Sequence, residues 1–397
     1  MAKMETLSLQ EVKAQPQNLL FDALFDDPWI NCFRDALLAK DFVKARSIRL
    51  QGLLLSVFCK RKHLLRLRDV ETQYTRTGLG GMWGNKGAVS VRLVVSGVSV
   101  CLVNCHFSAH DHMKSERIAE YNTVLQSHSY TARETSHILY HDYVFWLGDL
   151  NFRMTSGSTS GELSAEQIGS LISRGELTQL MEHDELRDVM RKGEAFSELS
   201  EPSFTFAPTY KFNTHSSMYD LKRRPAWTDR ILYQVKPDVY ENLTLEASNL
   251  SYQSWSSYVQ SDHKPVSAEY SVKVFRDHHD RVVDFQPIAH WFVDEENIAS
   301  FSFSSDVDPT SGNDWIGIYR ENFSSLEDYV FYVYVPRAPT VTGYVHVAFP
   351  DAALTESGSY RLLYITQNFA SVLGMSAPFS AIQRDSSLSQ LQYRPRF

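Results

Sequence analysis

The sequence predicts a layered α/β domain followed by a small all-β domain. Up to Ser271, apolar runs of strand length alternate with segments of helical spacing, and a hairpin pattern falls between them, which indicates a layered sandwich rather than a purely parallel sheet. After Ser271, short alternating runs separated by turn residues predict an antiparallel β-sandwich. The chain has 397 residues, 43% hydrophobic and 22% charged, which accommodates one large and one small globular domain.

Apolar spacing predicts the elements of the first domain. Helical spacing begins in segment 18–42, where Pro28 interrupts it. An uninterrupted apolar centre predicts a single strand over 47–59, and a turn at Ser96-Gly97 predicts a hairpin. The elements predicted after the first helix are a strand at 47–59, a Gly-rich loop at 77–85, strands at 87–95 and 98–105, a helix at 113–126, a strand at 140–147, a connector at 154–161 and a helical hairpin at 165–191.

The second half of the chain divides by composition. The first domain is predicted to cover residues 1–272, and the charged segment 273–289 is predicted to be a linker. Residues 290–381 carry the sandwich pattern, and the polar tail 382–397 is expected to be disordered. The strands predicted for the sandwich are 300–304, 314–319, 329–335, 342–348 and 360–365.

Polar side chains cluster where four apolar runs of the first domain end. Residues just past a buried strand are held at the rim of a sheet, where a site needs them. Carboxylates, an amide and imidazoles beside basic residues suit metal-assisted hydrolysis of a phosphate ester. The side chains at these ends are His106, Asp149, Asn151, Asp229, Asp262 and His263.

Five segments around these residues resemble the inositol polyphosphate 5-phosphatases and stand in the order of that family. They are GMWGNKGAVSV (81–91), NCHFSAH (104–110), WLGDLNFR (146–153), PAWTDRIL (225–232) and SDHKPV (261–266). The resemblance runs from about Gln10 to Ser271. It implies the four-layer α/β/β/α sandwich of the endonuclease/exonuclease/phosphatase type.

The second domain has a resemblance of its own. The segment NDWIGIY (313–319) and the Tyr-Val repeats at 329–335 are similar to the SKICH domain, a small immunoglobulin-like β-sandwich. A SKICH domain after the phosphatase implies the SKICH-bearing branch of the family, with the SKICH domain engaging a protein partner.

The family resemblance implies an Mg²⁺-dependent phosphoinositide 5-phosphatase. The substrates it implies are phosphatidylinositol 4,5-bisphosphate and 3,4,5-trisphosphate, with soluble inositol polyphosphates as further candidates. Glu11 matches a magnesium ligand of the family, and Asp262 would assist it.

The same resemblance implies catalytic roles. Asp149 would activate the attacking water, and Asn151 would hydrogen-bond the phosphate or the nucleophile. Of the two histidines, one would stabilise charge on the phosphoryl oxygens and the other would handle a proton. An imidazole needs an orienting carboxylate, and Asp229 is expected to orient His106.

Basic residues near these motifs are candidates for substrate binding. Asn85 with Lys86, and Tyr210 with Lys211, match family positions that hold the neighbouring 4-phosphate. A further family lysine stands four residues before the proline of PAWTDR, where this chain has Leu221. The next residues, Lys222 and Arg223, are therefore taken as the candidates, with an exposed basic loop as the alternative.

One departure from the family pattern leaves the function open between alternatives. The family has an earlier strand that ends in a Trp-Asn pair, and the given sequence starts after it. The first domain is therefore expected to lack its first strand, and the alternative function is a catalytically impaired form that serves as a lipid- or protein-binding module. A nuclease of the same fold is the third hypothesis; the segments GNKG and TYK and the acidic net charge count against it.

Charge and composition bound the partners and the compartment. The formal net charge of −8 argues against a general nucleic-acid binder. The sequence shows no membrane span, no signal pattern and no paired-cysteine spacing, so we expect a monomer in the reducing cytoplasm. Leu79, Met82 and Trp83 in a Gly-rich loop could touch a membrane that carries the lipid substrate, or Trp83 could cover the sheet edge. Recruitment to the plasma membrane or endomembranes would follow.

Overall fold

The computed structural model describes residues 3–12, 27–155, 162–237, 240–276, 278, 282–304, 312–336 and 343–384. Two domains follow one another along the chain. The first contains β1 (Met4–Leu9), α1 (Pro28–Leu38), β2 (Phe42–Leu50), β3 (Leu53–Lys60), β4 (Leu67–Thr77), α2 (Gly78–Gly81), β5 (Trp83–Val95), β6 (Val98–His106), α3 (Lys114–Ser127), β7 (Tyr143–Asp149), α4 (Ala165–Ser173), α5 (Leu177–Met181), α6 (Glu185–Lys192), β8 (Asp229–Val235), β9 (Ala247–Ser254) and β10 (Val266–Val272).

The strands of the first domain form a five-stranded sheet, a three-stranded sheet and a two-stranded sheet. Their strand orders are β4-β5-β6-β7-β8, β1-β3-β2 and β10-β9. Only β6 and β7 run parallel within the five-stranded sheet, and its other neighbours are antiparallel. The C-terminal ends of β6 and β7 and the N-terminal end of β8 therefore meet at one rim of the five-stranded sheet.

Strand alternation explains the layers. In β5, Val89 and Val91 point toward the three-stranded sheet, where they join a core with Leu55 and Val57 of β3. Residues on the opposite face pack against α3 and α6, as Trp146 of β7 does with Tyr121. Helix α1 packs through Ile30 on the outer face of the three-stranded sheet. These contacts give the order helix, sheet, sheet, helix, and confirm the four-layer sandwich.

Most predicted elements of the first domain are present with shifted ends, but the helical hairpin predicted at 165–191 consists of three helices, α4, α5 and α6, and one predicted strand was wrong. The strand predicted over 47–59 is two antiparallel strands, β2 and β3, joined at Gln51-Gly52. An apolar run does not reveal a tight turn, and the charged side chains of β2 concealed its strand pattern. Residues 13–26, which cover much of the predicted first helix, and 156–161 in the predicted connector lie outside the described residues.

The second domain is a two-sheet β-sandwich, as predicted. Its sheets have the orders β11-β13-β16 and β12-β19-β17-β14-β15, with β18 also pairing with β17. Its strands are β11 (Val283–Phe285), β12 (His290–Phe292), β13 (Asn297–Phe303), β14 (Trp315–Arg320), β15 (Tyr329–Tyr334), β16 (Val345–Phe349), β17 (Gly358–Ile365), β18 (Val372–Met375) and β19 (Phe379–Ile382).

The boundary between the domains differs from the prediction. Strand β11 lies inside the predicted linker 273–289, yet it pairs with β13 and belongs to the sandwich. Three residues were too short a run to show a strand period. The tail predicted to be disordered, 382–397, begins inside β19, because Ile382 is the last residue of that strand, and residues 385–397 lie outside the described part of the chain.

The sandwich shares a hydrophobic core with the first domain. Trp315 and Ile365, on its outer face, lie in one cluster with Leu64 and Leu67 of the first domain. The backbone also connects the domains, because the N–H of Lys44 in β2 donates to the carbonyl of Ser324 at 2.8 Å. The outer edge of the three-stranded sheet is therefore covered by the second domain. Among the described helices, none combines the length and apolar character needed to cross a bilayer.

Candidate active site

Three of the predicted site residues stand side by side on the rim of the five-stranded sheet. In the strand register, Asp149 at the end of β7 pairs with His106 at the end of β6 and with Asp229 at the start of β8. Gly148 allows this approach, since a Cβ at its φ of +133° would lie 2.1 Å from the carbonyl oxygen of Cys105. The sheet itself thus brings two carboxylates and an imidazole into one row.

A fourth residue, His263, joins the row from a loop. Its Nδ1 lies 2.9 Å from Oδ2 of Asp229, and that oxygen also accepts hydrogen bonds from Thr209 at 2.7 Å and Thr228 at 2.9 Å. The loop is held by segment 209–212, whose Tyr210 pairs with both Ala226 and His263. These contacts fix Asp229 and leave Nε2 of His263 as the ring nitrogen that can contact a ligand.

The prediction that Asp229 orients His106 was wrong. Asp229 orients His263, and Nε2 of His106 lies 3.3 Å from Oδ2 of Asp149 instead. The register explains the difference, because Asp149 lies on the strand between those of His106 and Asp229. Sequence motifs reveal which residues reach the rim but not their order across it.

Asp149 is a buried carboxylate that stays ionised. Burial alone would raise its pKa, but the hydrogen bond from His106 and the positive charges of His263, His106 and Lys86 outweigh burial and hold the pKa well below its usual range. Its oxygens also accept hydrogen bonds from the backbone N–H of Asn151 at 3.0 Å and from its Nδ2 at 2.9 Å. Such a carboxylate is suited to holding a cation or orienting water through its charge.

The pKa of His263 is shifted in the opposite direction from that of Asp149. Burial would lower its pKa, but the charge and hydrogen bond of Asp229, followed by the charges of Asp149 and Asp262, raise the pKa to about 9. The imidazole is therefore protonated at neutral pH in the ligand-free site, where it can stabilise negative charge on a phosphoryl oxygen.

A metal-compatible cluster appears among the described residues. Ligand atoms of Asp149, Asp229 and His263 lie within 4.8 Å of one another. The predicted metal ligands have other neighbours, because Oε1 of Glu11 lies 3.7 Å from Nε2 of His106 and Oδ2 of Asp262 lies 3.0 Å from Nζ of Lys211. The assignment of Glu11 and Asp262 to the metal remains a prediction.

Two predicted substrate-binding lysines reach the site. Nζ of Lys86 contacts Nε2 of His106, and burial lowers the pKa of Lys86, although Asp149 and Glu11 partly offset that effect. The hydrogen bond to Asp262 raises the pKa of Lys211. The ring of Tyr210 packs on that of His263, with 4.6 Å between their centroids. Positive charge therefore lies on both sides of the carboxylate cluster.

The other predicted substrate residues are not in described contact with this cluster. Asn85 is exposed beside the turn α2, while Lys222 and Arg223 are exposed on the loop after Asp220. The neighbouring Arg224 pairs instead with Asp111, at 2.7 Å from Nη2 to Oδ2. Substrate roles for Asn85, Lys222 and Arg223 remain predictions.

Sequence reasoning missed Arg153 and Glu120. Arg153 lies in the segment WLGDLNFR; its Nη2 donates to Oδ1 of Asn151, and its guanidinium lies 4.4 Å from the ring centroid of Tyr210. Glu120 of α3 is buried and accepts hydrogen bonds from Thr77 at 2.8 Å and from the backbone N–H of Ser108 at 2.7 Å. Within the motif, Arg153 could have been found; Glu120 looked like any charged helix residue.

Family models and known proteins match this chain over most of its length. The model of the endonuclease/exonuclease/phosphatase family 2 matches residues 2–269, and the model of the SKICH domain matches residues 283–381. A human phosphatidylinositol 4,5-bisphosphate 5-phosphatase A is 37% identical over 400 residues, which cover 98% of this chain and 39% of that protein. A mouse inositol polyphosphate 5-phosphatase K is 34% identical over 412 residues, covering 98% of this chain and 85% of that protein.

A solved structure agrees with these relatives. The inositol polyphosphate 5-phosphatase domain of a synaptojanin, in complex with inositol (1,4)-bisphosphate and calcium ion, matches with a TM-score of 0.56 and 33% identity, over 68% of this chain and 76% of that one. The chain belongs to the inositol polyphosphate 5-phosphatase family, in the branch that carries a SKICH domain. It spans about two fifths of the length of the 5-phosphatase A relatives.

Proposed function

We propose that this protein is an Mg²⁺-dependent phosphoinositide 5-phosphatase. Its substrates are phosphatidylinositol 4,5-bisphosphate and 3,4,5-trisphosphate, with soluble inositol polyphosphates as further candidates. The observation that carries the proposal is the geometry of the rim, where His263 is held by Asp229 at 2.9 Å and both residues lie beside Asp149. The relatives named above support the class of substrate.

The residues at the rim fit a divalent cation. Carboxylate oxygens are the ligands Mg²⁺ prefers, and Asp149 and Asp229 offer them within 4.8 Å. Asp149 and Asp229 would hold the ion, with Glu11 and Asp262 as the ligands implied by resemblance. The bound ion would neutralise charge that develops on the phosphoryl group.

The chain's own side chains supply the remaining steps. Asp149 takes a proton from the attacking water as the water oxygen forms a new bond to phosphorus. That proton then passes to His106, whose Nε2 lies 3.3 Å from Oδ2 of Asp149, and replaces the one that His106 delivers to the leaving group. Protonated His263, oriented by Asp229, stabilises a phosphoryl oxygen through Nε2. The bond from phosphorus to the inositol oxygen breaks, and His106, beside Lys86, delivers a proton to that oxygen.

Substrate selection uses the basic residues around this centre. Lys86, beside His106, and Lys211, beside Asp262, would bind the 4-phosphate next to the reacting group, and Lys222 and Arg223 would extend the positive surface. Arg153 fixes the amide of Asn151, so that Nδ2 of Asn151 points to Asp149.

The working location follows from the lipid substrate. We expect a cytoplasmic monomer recruited to the plasma membrane or endomembranes as a peripheral protein. Met82 is 79% exposed and Trp83 is 52% exposed, which supports contact with a lipid surface. The side chain of Leu79 lies outside the described part of the structure. The SKICH domain would engage a protein partner.

The direct test is phosphate release from short-chain phosphatidylinositol 4,5-bisphosphate with and without Mg²⁺. We expect release that needs the metal and that disappears in Asp229→Ala. The matched control is Asp351→Ala, which removes an exposed carboxylate of the second domain. Absence of release from a cooperatively folded protein would overturn the proposal and leave a binding module as the function.

A further inference from the structure

A cavity of about 400 Å³, whose lining includes several charged side chains, lies between the two domains. The first domain contributes Asp41, Arg61 and Lys62, and the second contributes Glu321 and Arg361. None of these residues belongs to the catalytic rim. The volume falls within the range of small-molecule sites, which is about 300–1,000 Å³.

Arg61 is a buried residue that is held in place in the wall of this cavity. The residue is only 9% exposed, its Nε donates to Oδ1 of Asp41 at 2.9 Å, and its guanidinium carbon lies 4.4 Å from the ring centroid of Phe323. Its Nη1 is buried and has no hydrogen-bond partner among the described residues. A buried donor without a partner is costly, and an incoming acceptor would relieve that cost.

Arg361, in the second domain, also has a buried nitrogen without a hydrogen-bond partner among the described residues. Its Nη1 donates to the carbonyl of Ser376 at 3.1 Å, while its Nη2 lies 3.8 Å from Oε1 of Glu321, beyond hydrogen-bond distance. Its Nε is buried without a partner in the described part of the chain. Burial lowers the pKa of Arg361, Glu321 partly offsets this, and the positive charge of Arg61 lowers it further. The two guanidinium groups are therefore close enough to repel each other.

The carboxylates of the cavity do not balance this charge. Asp41 is occupied by Arg61, and Oε2 of Glu321 accepts a hydrogen bond from Ser359 at 2.7 Å. Lys62 is exposed, and over the described ranges no ion pair involves it. Three cations thus face two carboxylates, with unused donors on two of the cations.

We propose that this cavity binds a phosphate-bearing anion that joins the two domains. Guanidinium groups offer several donors in a fixed fork that matches phosphate oxygens, and a lysine adds a point charge. The ligand class is a polyphosphorylated small molecule or the equivalent phosphates of a lipid headgroup. Because Arg61 and Arg361 come from different domains, binding stabilises their contact.

Calorimetric titration with inositol hexakisphosphate tests the site on the full chain. We expect two binding events, one at the catalytic rim, weakened by Lys211→Gln, and one at the cavity. Arg361→Gln should weaken the cavity event roughly tenfold or more, and Lys62→Gln several-fold, because each loses a charged partner of the phosphates. Neither variant should change hydrolysis of the short-chain substrate.

Two controls make the result decisive. Arg174→Gln removes an exposed ion pair with Glu176 just after α4, and this variant should bind the probe as the unmodified chain does. Lys62→Gln lies at an exposed position, so it decides the matter if Arg361→Gln fails to fold. The proposal is overturned if Lys62→Gln and a folded Arg361→Gln both keep the cavity event, or if Arg174→Gln loses it equally.

Vesicles separate the two sources of phosphate. Phosphatidylcholine vesicles containing phosphatidylinositol 4,5-bisphosphate are sedimented with Lys211→Gln, alone and combined with Arg361→Gln. Weaker co-sedimentation of the double variant assigns the cavity to lipid headgroups. Equal co-sedimentation, with the calorimetric loss retained, assigns it to soluble anions.

Discussion

Oδ2 of Asp229 lies 2.9 Å from Nδ1 of His263, and the two threonines that hydrogen-bond to the same oxygen hold the pair in place. The pair spans a strand start and a separate loop. The negative charge of Asp229 keeps the imidazole of His263 protonated. Removal of this charge should therefore slow the chemical step more than it weakens substrate binding.

Asp229→Asn tests that relationship. The amide keeps the shape of the side chain but loses the charge that supports His263, so we expect kcat to fall by about 10²–10⁴-fold with a much smaller change in KM. Steady-state hydrolysis of the short-chain lipid measures both constants. The matched variant is Asp220→Asn, a half-buried carboxylate on the nearby loop, which should retain kcat. A large KM effect with unchanged kcat in Asp229→Asn would contradict the assigned role.

Glu120 is predicted to position the two loops that flank the site. It accepts hydrogen bonds from Thr77, before the Gly-rich turn, and from Ser108, after His106. Glu120→Ala leaves buried donors unpaired and should cost roughly 1–3 kcal/mol of unfolding free energy. It should also raise KM, because Lys86 and His106 follow these loops.

Rescue distinguishes positioning from general damage. Glu120→Gln retains an acceptor oxygen and should recover part of the KM loss, while Glu116→Gln, exposed on the same helix, should change neither quantity. A Glu120→Ala protein with lowered stability but normal KM would show that the contact is structural alone.

Two buried histidines make stability depend on pH. Burial lowers the pKa of His128 and of His141 to about 4 from an ordinary value of 6.5. Below pH 6.5 the unfolded chain therefore binds protons that the folded chain does not bind. The part of the unfolding free energy that is present above pH 6.5 is lost as the pH falls toward 4. Between pH 7.5 and 5 we expect a loss of about 2 kcal/mol for each histidine.

Urea unfolding at several pH values measures this loss. His128→Gln removes one titrating group, and its stability should fall less steeply over the same interval than that of the unmodified chain. Ser90 contacts Nδ1 of His128 at 2.8 Å and can contact the glutamine amide in its place. Parallel pH profiles for the two proteins would contradict the assignment.

The sequence predicted which residues form the rim but not their pairing. Motifs mark the ends of strands, so His106, Asp149 and Asp229 could be placed at one edge. Their lateral order depends on which strands run parallel, and no local pattern carries that information; the partner of Asp229 was therefore wrong. The pair Arg61 and Arg361 was out of reach for the same reason, since each lies in an ordinary segment of a different domain.

Trp315 connects the domains and should stabilise both. It is 7% exposed and lies in the shared cluster with residues of the first domain. Trp315→Ala should cost about 3–5 kcal/mol and separate thermal unfolding into two transitions, observable by calorimetry. Trp255→Ala, at a 43% exposed tryptophan, should keep the unfolding profile of the unmodified chain. A single unshifted transition in Trp315→Ala would show that the shared core contributes little.

Met82 and Trp83 are predicted to contact the membrane during catalysis. Met82 is 79% exposed and Trp83 is 52% exposed, and the two residues lie between α2 and the segment that carries Asn85 and Lys86. Replacing both with serine removes apolar surface without touching the catalytic row. We expect vesicle-borne phosphatidylinositol 4,5-bisphosphate to be hydrolysed roughly tenfold more slowly, because less apolar area enters the bilayer interface. The soluble short-chain lipid should be hydrolysed at the original rate.

Trp29→Ser on α1, a tryptophan 54% exposed, is the control and should behave as the unmodified chain does on both substrates. An equal loss on both substrates would mean that the loop shapes the catalytic site rather than the membrane contact.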